Sequence, residues 1–276
     1  MPITPFNNIS STTTQSNVKQ TQRSLAMSML RLSTGQRINS AADDAANMAI
    51  SETMNAQLRS YAVAERNAMD GISMTQTADS GAGQISNILG RMREIAVQSG
   101  NGTLNDKDRA NLNTEYSSLS SEINRIAGTT QFNGQKLLDG STGNVQLQVS
   151  SENNNADQIS VSEFGSPFTA SGLGVDGTSV LTQGAASGAI SSIDSAIQKV
   201  SSMREGFGAA TNRLVNAADG LQVGRTQMAS SLSRIRDTDY AEEASNSAKW
   251  QMMMNPGYAL LAQANTSSKS VLGLLR

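Results

Sequence analysis

An apolar residue falls at every seventh position along the second half of the chain: Ile193, Val200, Phe207, Leu214, Leu221, Met228 and Ile235 follow without a miss. A companion series, Ile190, Ile197, Arg204, Thr211, Ala218, Arg225 and Leu232, is apolar at both ends and mixed in the middle. Such a repeat marks a helix packed lengthwise against other helices, here roughly 70 Å long at about 1.5 Å per residue. Two earlier segments supply partners. Leu112, Tyr116, Leu119, Ile123 and Ile126 keep 4-3-4-3 spacing after a cap at Asn105 or Asp106. From Ala45 to Ser99 a longer helix carries Met54, Leu58, Tyr61, Met69, Ile72, Ile85, Ile88, Met92 and Ile95. Its seam is less regular, and Gly81 and Gly83 mark a local weakness or a close packing point. Asn101-Gly102 offers the turn between these two helices.

The pattern changes after Phe132-Asn133-Gly134. VQLQV (145–149) and QISVS (158–162) alternate as half-buried strands do, separated by a polar SSENNNAD, and predict a β-hairpin. Gly165 to Gly188 is mostly Gly, Ser, Thr and Ala, a loop-rich return into the long helix. The fold class is therefore mainly α, a long coiled-coil bundle with a small β-hairpin element.

Both ends carry further amphipathic patterns. Val18, Leu25, Met29 and Leu32 form one; Trp250, Met254, Leu261, Ala264, Val271 and Leu275 form another. Apolar helices at the ends of a chain either fold back on the domain or take an outside partner. Met252-Met253-Met254-Asn255-Pro256-Gly257 interrupts the last one, and the proline predicts a kink or irregularity near 255–257. Near the start, RLSTGQRINSAADDAANMAIS (31–51) joins two helical runs. Ser40 is its candidate N-cap, and Asp43 and Asp44 place negative charge on the first turn of the long helix.

Composition narrows the function classes. The 276 residues are 37% hydrophobic but only 4% aromatic, which suits long, thin helices packed through modest side chains. There is no cysteine and no histidine, so disulfides, thiolate or histidine metal sites and imidazole-based catalysis are excluded. The carboxylate pairs Asp43-Asp44, Glu242-Glu243 and Asp237/Asp239 lack an oxygen-rich loop of calcium-binding type. They fit helix-start charge and pairing between subunits with Arg37, Arg234 or Arg236 better. The methionines fit adaptable packing rather than metal ligation. No cofactor is expected.

A net charge of −2 gives no global field to hold nucleic acid. Locally, Lys19, Arg23, Arg31 and Arg37 precede the first acidic residue, Asp43, which reads as pairing with another segment or as a solvated face. No run of about 18 apolar residues predicts a membrane span. The start lacks a secretory signal pattern, so the default address is cytoplasmic.

Longer motifs change that address. SMLRLSTGQRINSAADDAANMAIS, RNAMDGISMTQTADS, ILGRMREIAVQSGNGT and QFNGQKLLDG resemble, in order, the N-terminal half of bacterial flagellins. SRIRDTDYAEE and ALLAQANTSSKSVLGLLR resemble the C-terminal end of that family. The likeness covers roughly 1–140 and 190–276. It implies a flagellin-like D0/D1 architecture: residues 1–42 as N-terminal inner-tube helix and connector, and 237–276 as C-terminal inner-tube helix. Residues 43–189 would be the N-terminal rod helices, hairpin and return loop, and 190–236 the long rod helix. The outer domains that larger flagellins insert are absent.

The resemblance further implies self-assembly into the extracellular flagellar filament for swimming, after export through the flagellar type III secretion channel. Val18, Leu25, Met29, Leu32, Trp250, Met254, Leu261, Val271 and Leu275 would then bury their surface in the inner tube. The seam from Ile193 to Ile235 would form the rod core, and Arg31, Gly35, Arg37, Ser40, Asp43 and Asp44 the connector, a hinge mobile in the free subunit and fixed in the filament. Arg31 and Arg37 are candidates for contacts with neighbouring subunits. Implied partners are further copies, other flagellins, hook–filament junction and cap proteins, and an export chaperone on the C-terminal segment.

Arg91, Glu94, Gln98 and Glu115 match a family patch bound by Toll-like receptor 5 in many flagellins, while Gly90 and Ile95 depart from it. The same patch also reads as a lateral contact between subunits. A hook–filament junction protein shares the paired terminal helices. A cytoplasmic chemoreceptor-like coiled coil shares the Ala/Ser/Gln-rich heptads but needs neither apolar chain ends nor a hairpin. A flagellin-borne protease would require an inserted zinc-binding domain.

Overall fold

The computed structural model describes residues 8–150 and 157–274, with only the backbone of 267–274. The helices are α1 (Ile9–Thr34), α2 (Ala45–Ser99), α3 (Asp106–Thr129), a one-turn α4 (Ala170–Leu173), α5 (Gln183–Arg236) and α6 (Tyr240–Leu274). Between α3 and α4 come β1 (Gln131–Phe132), β2 (Gln135–Lys136), β3 (Val145–Gln148) and β4 (Gln158–Val161). The chain divides into two compact units, one gathering the chain up to Ala56 and from Gln227 onward, the other Gln57–Thr226.

In the central unit α2 and α5 run antiparallel, as successive cross-pairs show: Glu65 with Arg225, Thr75 with Thr211, Asp79 with Arg204, and Asp194 with Arg93. The buried face of α2 is regular. Ala64, Ala68, Gly71, Thr75, Ala78, Ala82, Ile85, Leu89, Met92, Ala96 and Ser99 are all buried and alternate steps of four and three. An apolar-only reading misses this seam because Ala, Gly, Thr and Ser fill more than half of it, while Met69 lies 55% exposed. On α5, Ile193, Val200, Phe207, Leu214 and Leu221 are buried, and Met228 and Ile235 are half-buried. The buried companion row runs Ala189, Ala196, Met203 and Ala210, one residue before the series read from the sequence, and rejoins that series at buried Ala218. Arg204 and Arg225 of that series instead point outward to Asp79 and Glu65.

Asn105 caps α3 by accepting from the Asp108 N–H at 2.9 Å. Of the two glycines singled out in α2, Gly81 is a close packing point: a Cβ there would lie 2.8 Å from Leu138 Cδ1 and Thr130 Oγ1. Gly83 faces only the end of Arg204, at 3.8 Å.

The hairpin pairs Val145 with Val161 through Gln148 with Gln158, antiparallel. It covers the helix pair by packing Val149 and Ile159 with Ala68, Leu214 and Ala218. A second, two-residue-stranded hairpin, β1–β2, escaped the sequence reading; Asn133 at φ 49° and Gly134 at φ 80° form its tight turn.

The return after β4 is not a loose loop. Phe164, Phe168, Ala170, Leu173, Val175 and Val180 are all buried. Phe164 and Phe168 close on Phe207 with ring centroids at 5.3 and 6.1 Å. Tyr116 and Asn113 of α3 hold the return through Thr178 and the Val180 N–H, at 2.7 and 3.0 Å. Small polar residues pass as loop by composition, yet every few positions an apolar side chain anchors the segment.

Phe207→Ala removes the ring on which the return, α5 and the hairpin region converge. It should cost about 3–5 kcal/mol, the range for buried Phe truncation, read as a lowered midpoint in denaturant unfolding; a loss under ~1 kcal/mol would contradict this packing role.

Candidate functional site

The other unit is built on α1 and α6, which pack antiparallel: Asn8 Nδ2 donates to Ala264 O at 2.9 Å, Gln22 Nε2 to Tyr258 Oη at 2.7 Å, and Arg31 pairs with Glu243 at 3.7 Å. Asn8 caps α1 by accepting from the Ser11 N–H at 3.0 Å. Asp239 starts α6 by accepting from the Ala241 and Glu242 N–H groups.

Between the helices lie Val18, buried, with Leu25, Leu32, Trp250, Met254 and Leu261, half-buried. The apolar stripes at the two ends of the chain thus cover each other, while Met29 remains 49% exposed. Val271 lies in the backbone of α6 without a described side chain, and Leu275 falls outside the described residues.

The predicted irregularity near 255–257 does not break α6, whose helix assignment continues through Pro256. An interior proline forfeits a hydrogen bond and costs about 3 kcal/mol. Packing at the same turn opposes that loss, since Gly257 lets α1 approach: a Cβ there would sit 2.9 Å from Val18 Cγ2.

The outward faces of this pair carry several large apolar residues among polar ones. Ile9 is 66% exposed, Met252 68%, Leu260 61%, Met253 47%, Leu30 45% and Met27 40%. None of these six was singled out from the sequence. The signal was nevertheless there, because adjacent apolar residues such as Met252-Met253-Met254 and Leu260-Leu261 point about 100° apart on a helix and cannot share one seam. Arg23, Met27, Arg31, Glu243 and Trp250 line an open cavity of about 330 Å³, in which the Arg31 Nε is buried with no hydrogen-bond partner.

The join between α1 and α2 is tied down within the chain. Gly35 ends α1 at φ 71°, in the left-handed region, and its N–H donates to Arg31 O at 2.8 Å. Gln36 and Asp237 form a β-bridge, flanked by Arg37 N–H to Arg236 O at 2.7 Å and Thr238 N–H to Gly35 O at 3.0 Å. Arg37 Nη2 also donates to Ile235 O at 2.8 Å, so Arg31 and Arg37 both spend donors inside the chain rather than offering them all to neighbours.

Ser40 does not cap α2. Its N–H and hydroxyl donate to the Asp43 carboxylate, joined by the Asn39 N–H. Asp44 is the cap, accepting from the Asn47 N–H at 3.0 Å. Both aspartates precede the helix rather than occupy its first turn. The Ser40 N–H above all, with Asn39 and the Ser40 hydroxyl, holds the Asp43 carboxyl below its usual range. The Asn47 N–H does the same for Asp44.

In the central unit, Arg91 bridges Glu115, through Nε at 3.1 Å and Nη2 at 2.9 Å, and Glu94, at 2.8 Å. The hydrogen bond to Glu94, followed by that to Glu115, pushes its pKa up. Gln98 is exposed, whereas Ile95 is fully buried and cannot form part of an accessible patch. Among the described residues no group of three acidic side chains could hold a metal ion, and no helix is long and apolar enough to cross a membrane.

These features define a structural helical subunit whose terminal pair leaves apolar surface open. Comparison with known proteins gives the class its family. Residues 6–143 match the bacterial flagellin N-terminal helical region and 190–275 the bacterial flagellin C-terminal helical region; the chain belongs to the bacterial flagellin family. It is 41% identical over 248 residues to a flagellin of Halalkalibacterium halodurans, covering 90% of each chain. It is 39% identical over 282 residues to a flagellar filament core protein of Brachyspira hyodysenteriae, covering 98% of this chain and 99% of that one.

The crystal structure of Bacillus cereus flagellin superposes with a TM-score of 0.50 at 33% identity, over 56% of this chain and 88% of that one. A Vibrio parahaemolyticus protein assigned as flagellar hook-associated shares the fold, with a TM-score of 0.57 at 14% identity over 71% of this chain and all of that one. Fold alone therefore does not separate filament from junction proteins; sequence identity does.

Acid should loosen the connector first. Asp43 has a depressed folded pKa, so its contribution is present above the unfolded aspartate value and lost as pH falls through the folded one. Amide-exchange protection at Asn39 and Ser40, corrected for intrinsic rates, should hold above about pH 5 and fall as pH drops through about 4 and below. In Asp43→Asn that acid response should disappear; its persistence would assign the effect elsewhere.

Proposed function

We propose that the chain is a structural subunit that self-assembles into an extracellular flagellar filament, with no enzymatic role. The observation that carries this reading is the apolar surface on the outward faces of α1 and α6, which is exposed among the described residues. Burial of such surface contributes about 25 cal/mol per Å², and a heterologous contact that does not close generates an open helical polymer. Filament core proteins are among the relatives most similar along the whole chain.

On this reading residues 1–42 and 237–276 form the inner layer and 43–189 with 190–236 the outer one. The β-bridge between Gln36 and Asp237 holds the two crossings between layers side by side. The chain leaves the cell through the flagellar export channel. Its further partners are other flagellins, the junction and cap proteins at the filament ends, and an export chaperone on the C-terminal segment. A receptor of the Toll-like receptor 5 type would meet exposed Arg91, Glu94, Gln98 and Glu115, with Ile95 acting only from beneath.

Seeded polymerisation of the purified chain, viewed by electron microscopy, tests the reading. Tubular helical filaments are expected, and deletion of 1–42 or of 237–276 should abolish them. Trp250, the only tryptophan, should become less accessible to acrylamide on assembly. Absence of filaments, or unchanged assembly after either deletion, would overturn the proposal.

A further inference from the structure

Sulfur is unevenly distributed in this molecule. The chain has 13 methionines but no cysteine and no histidine, so its thioethers are its principal oxidisable sulfur. Met74 and Met92 are sealed in the central unit, at 5% and 0% exposure. By contrast, Met27, Met29, Met252 and Met253 are 40–68% exposed and all four lie on the α1–α6 pair, whereas the central unit exposes Met69 alone to a like degree, at 55%, among its described methionines. Leu30 and Leu260 extend the same apolar surface.

We propose that Met27, Met29, Met252 and Met253 form an oxidation site that decides whether a subunit can join its polymer. Peroxide reaches their thioethers in the free chain, and a second copy packed over them shields them once assembled. The proposal rests on the self-assembly reading above.

A second copy is the fitting occupant on grounds of charge as well as surface. Lys19, Arg23 and Lys249 stud the same helices and pair with no acidic side chain among the described residues. The same pair carries Asp239 and Glu242, exposed and likewise without a cationic partner among the described residues. One copy therefore offers the carboxylates that another leaves unanswered. Methionine suits such a face because its flexible, polarisable side chain adapts to the surface laid on it.

The chemistry balances with peroxide as the oxidant. A lone pair on Sδ attacks one peroxide oxygen, the O–O bond breaks and an S–O bond forms. The second oxygen leaves as water after proton transfer, so the thioether is oxidised as the peroxide is reduced. The product is polar and carries an acceptor that a packed apolar interface leaves unsatisfied. Reduction by a methionine sulfoxide reductase restores the thioether.

The test uses the full chain. Free subunits and preformed filaments are treated with hydrogen peroxide, and oxygen addition at each methionine is mapped by peptide mass spectrometry. Expected are faster oxidation of the four residues, and of exposed Met69, than of the buried methionines in the free chain, protection of the four in the filament, and assembly slowed about tenfold or more, the order expected for one uncompensated polar group at an interface. Reductase treatment should restore assembly. A Met27→Leu, Met29→Leu, Met252→Leu, Met253→Leu chain should assemble with or without peroxide. Should that variant fail to assemble even untreated, the reductase arm on the native chain decides.

Undiminished assembly of the oxidised native chain, equal oxidation in filament and subunit, or no recovery with reductase would each overturn the proposal. Failure of the untreated native chain to polymerise would instead overturn the filament reading on which it rests.

Discussion

The distance of approach between two long helices governs the central unit. Where α2 and α5 meet, small side chains dominate the buried row of α2, with Ala64, Ala68, Gly71, Ala78, Ala82 and Ala96, and alternate with Ile193, Val200, Phe207 and Leu214 on α5, as Ala189, Ala196 and Ala210. Side chains of this size let helix backbones approach more closely than rows of Leu or Phe would, and close approach multiplies weak dispersion contacts along the whole seam. With aromatics at only 4%, no thick core is available to hold the helices apart. The fully buried phenylalanines gather at one place, the Phe164, Phe168 and Phe207 cluster, where the return segment is fastened to α5. The hairpin then covers the stretch around Ala68 and Leu214, where two helices alone leave the seam open.

The terminal pair follows a different rule. Along α1 the inward positions run Ser11, Thr14, Val18, Thr21, Leu25, Ser28 and Leu32, so four of seven bear hydroxyls. Several of these donate to a carbonyl of their own helix or to a side chain of the partner helix, as Thr21 does to Asn17 O and Ser11 to Asn265 Oδ1. They add little to apolar burial, which is the dominant favourable contribution to most association. A pair with so polar a seam and so apolar an outside is assembled in the opposite sense to an isolated helical hairpin. On the filament reading, contact with further copies supplies the burial that the pair lacks; the central unit has a core of its own, although it too leaves Met69, Val97 and Val223 exposed.

Much of this was legible from spacing. The bounds of α2, the cap of α3 at Asn105 and the pairing of 145–148 with 158–161 all follow from apolar period and turn chemistry. The misses share a cause. Counting only large apolar residues hid the Ala, Gly and Thr positions of α2, and shifted the companion row of α5 by one residue onto Arg204 and Thr211. The same habit dismissed 165–188 as loop. At the connector, Ser40 reads as the cap and Asp43 and Asp44 as first-turn charge from residue type alone, yet which of the neighbouring Asp, Asn and Ser side chains accepts which N–H depends on backbone angles that composition does not carry. The outward methionines were missed for a further reason: attention went to residues that continue a stripe, whereas an assembly surface consists of those that break it.

Magnitudes decide what sets register in the central unit. Four arginines bridge neighbouring helices there, Arg91 to Glu115, Arg93 to Asp194, Arg204 to Asp79 and Arg225 to Glu65, and their side chains are 42–52% exposed. Exposed pairs contribute about 0–1 kcal/mol each and are screened by salt. Sliding one helix past the other by a turn would instead drive Leu214 or Ile85 into positions now occupied by alanine, at an overpacking cost of about 1–3 kcal/mol for each misplaced side chain. Packing fixes the register, and the arginines follow it. The charges are then free to vary at the surface without altering the fold, while the alanine rows are not.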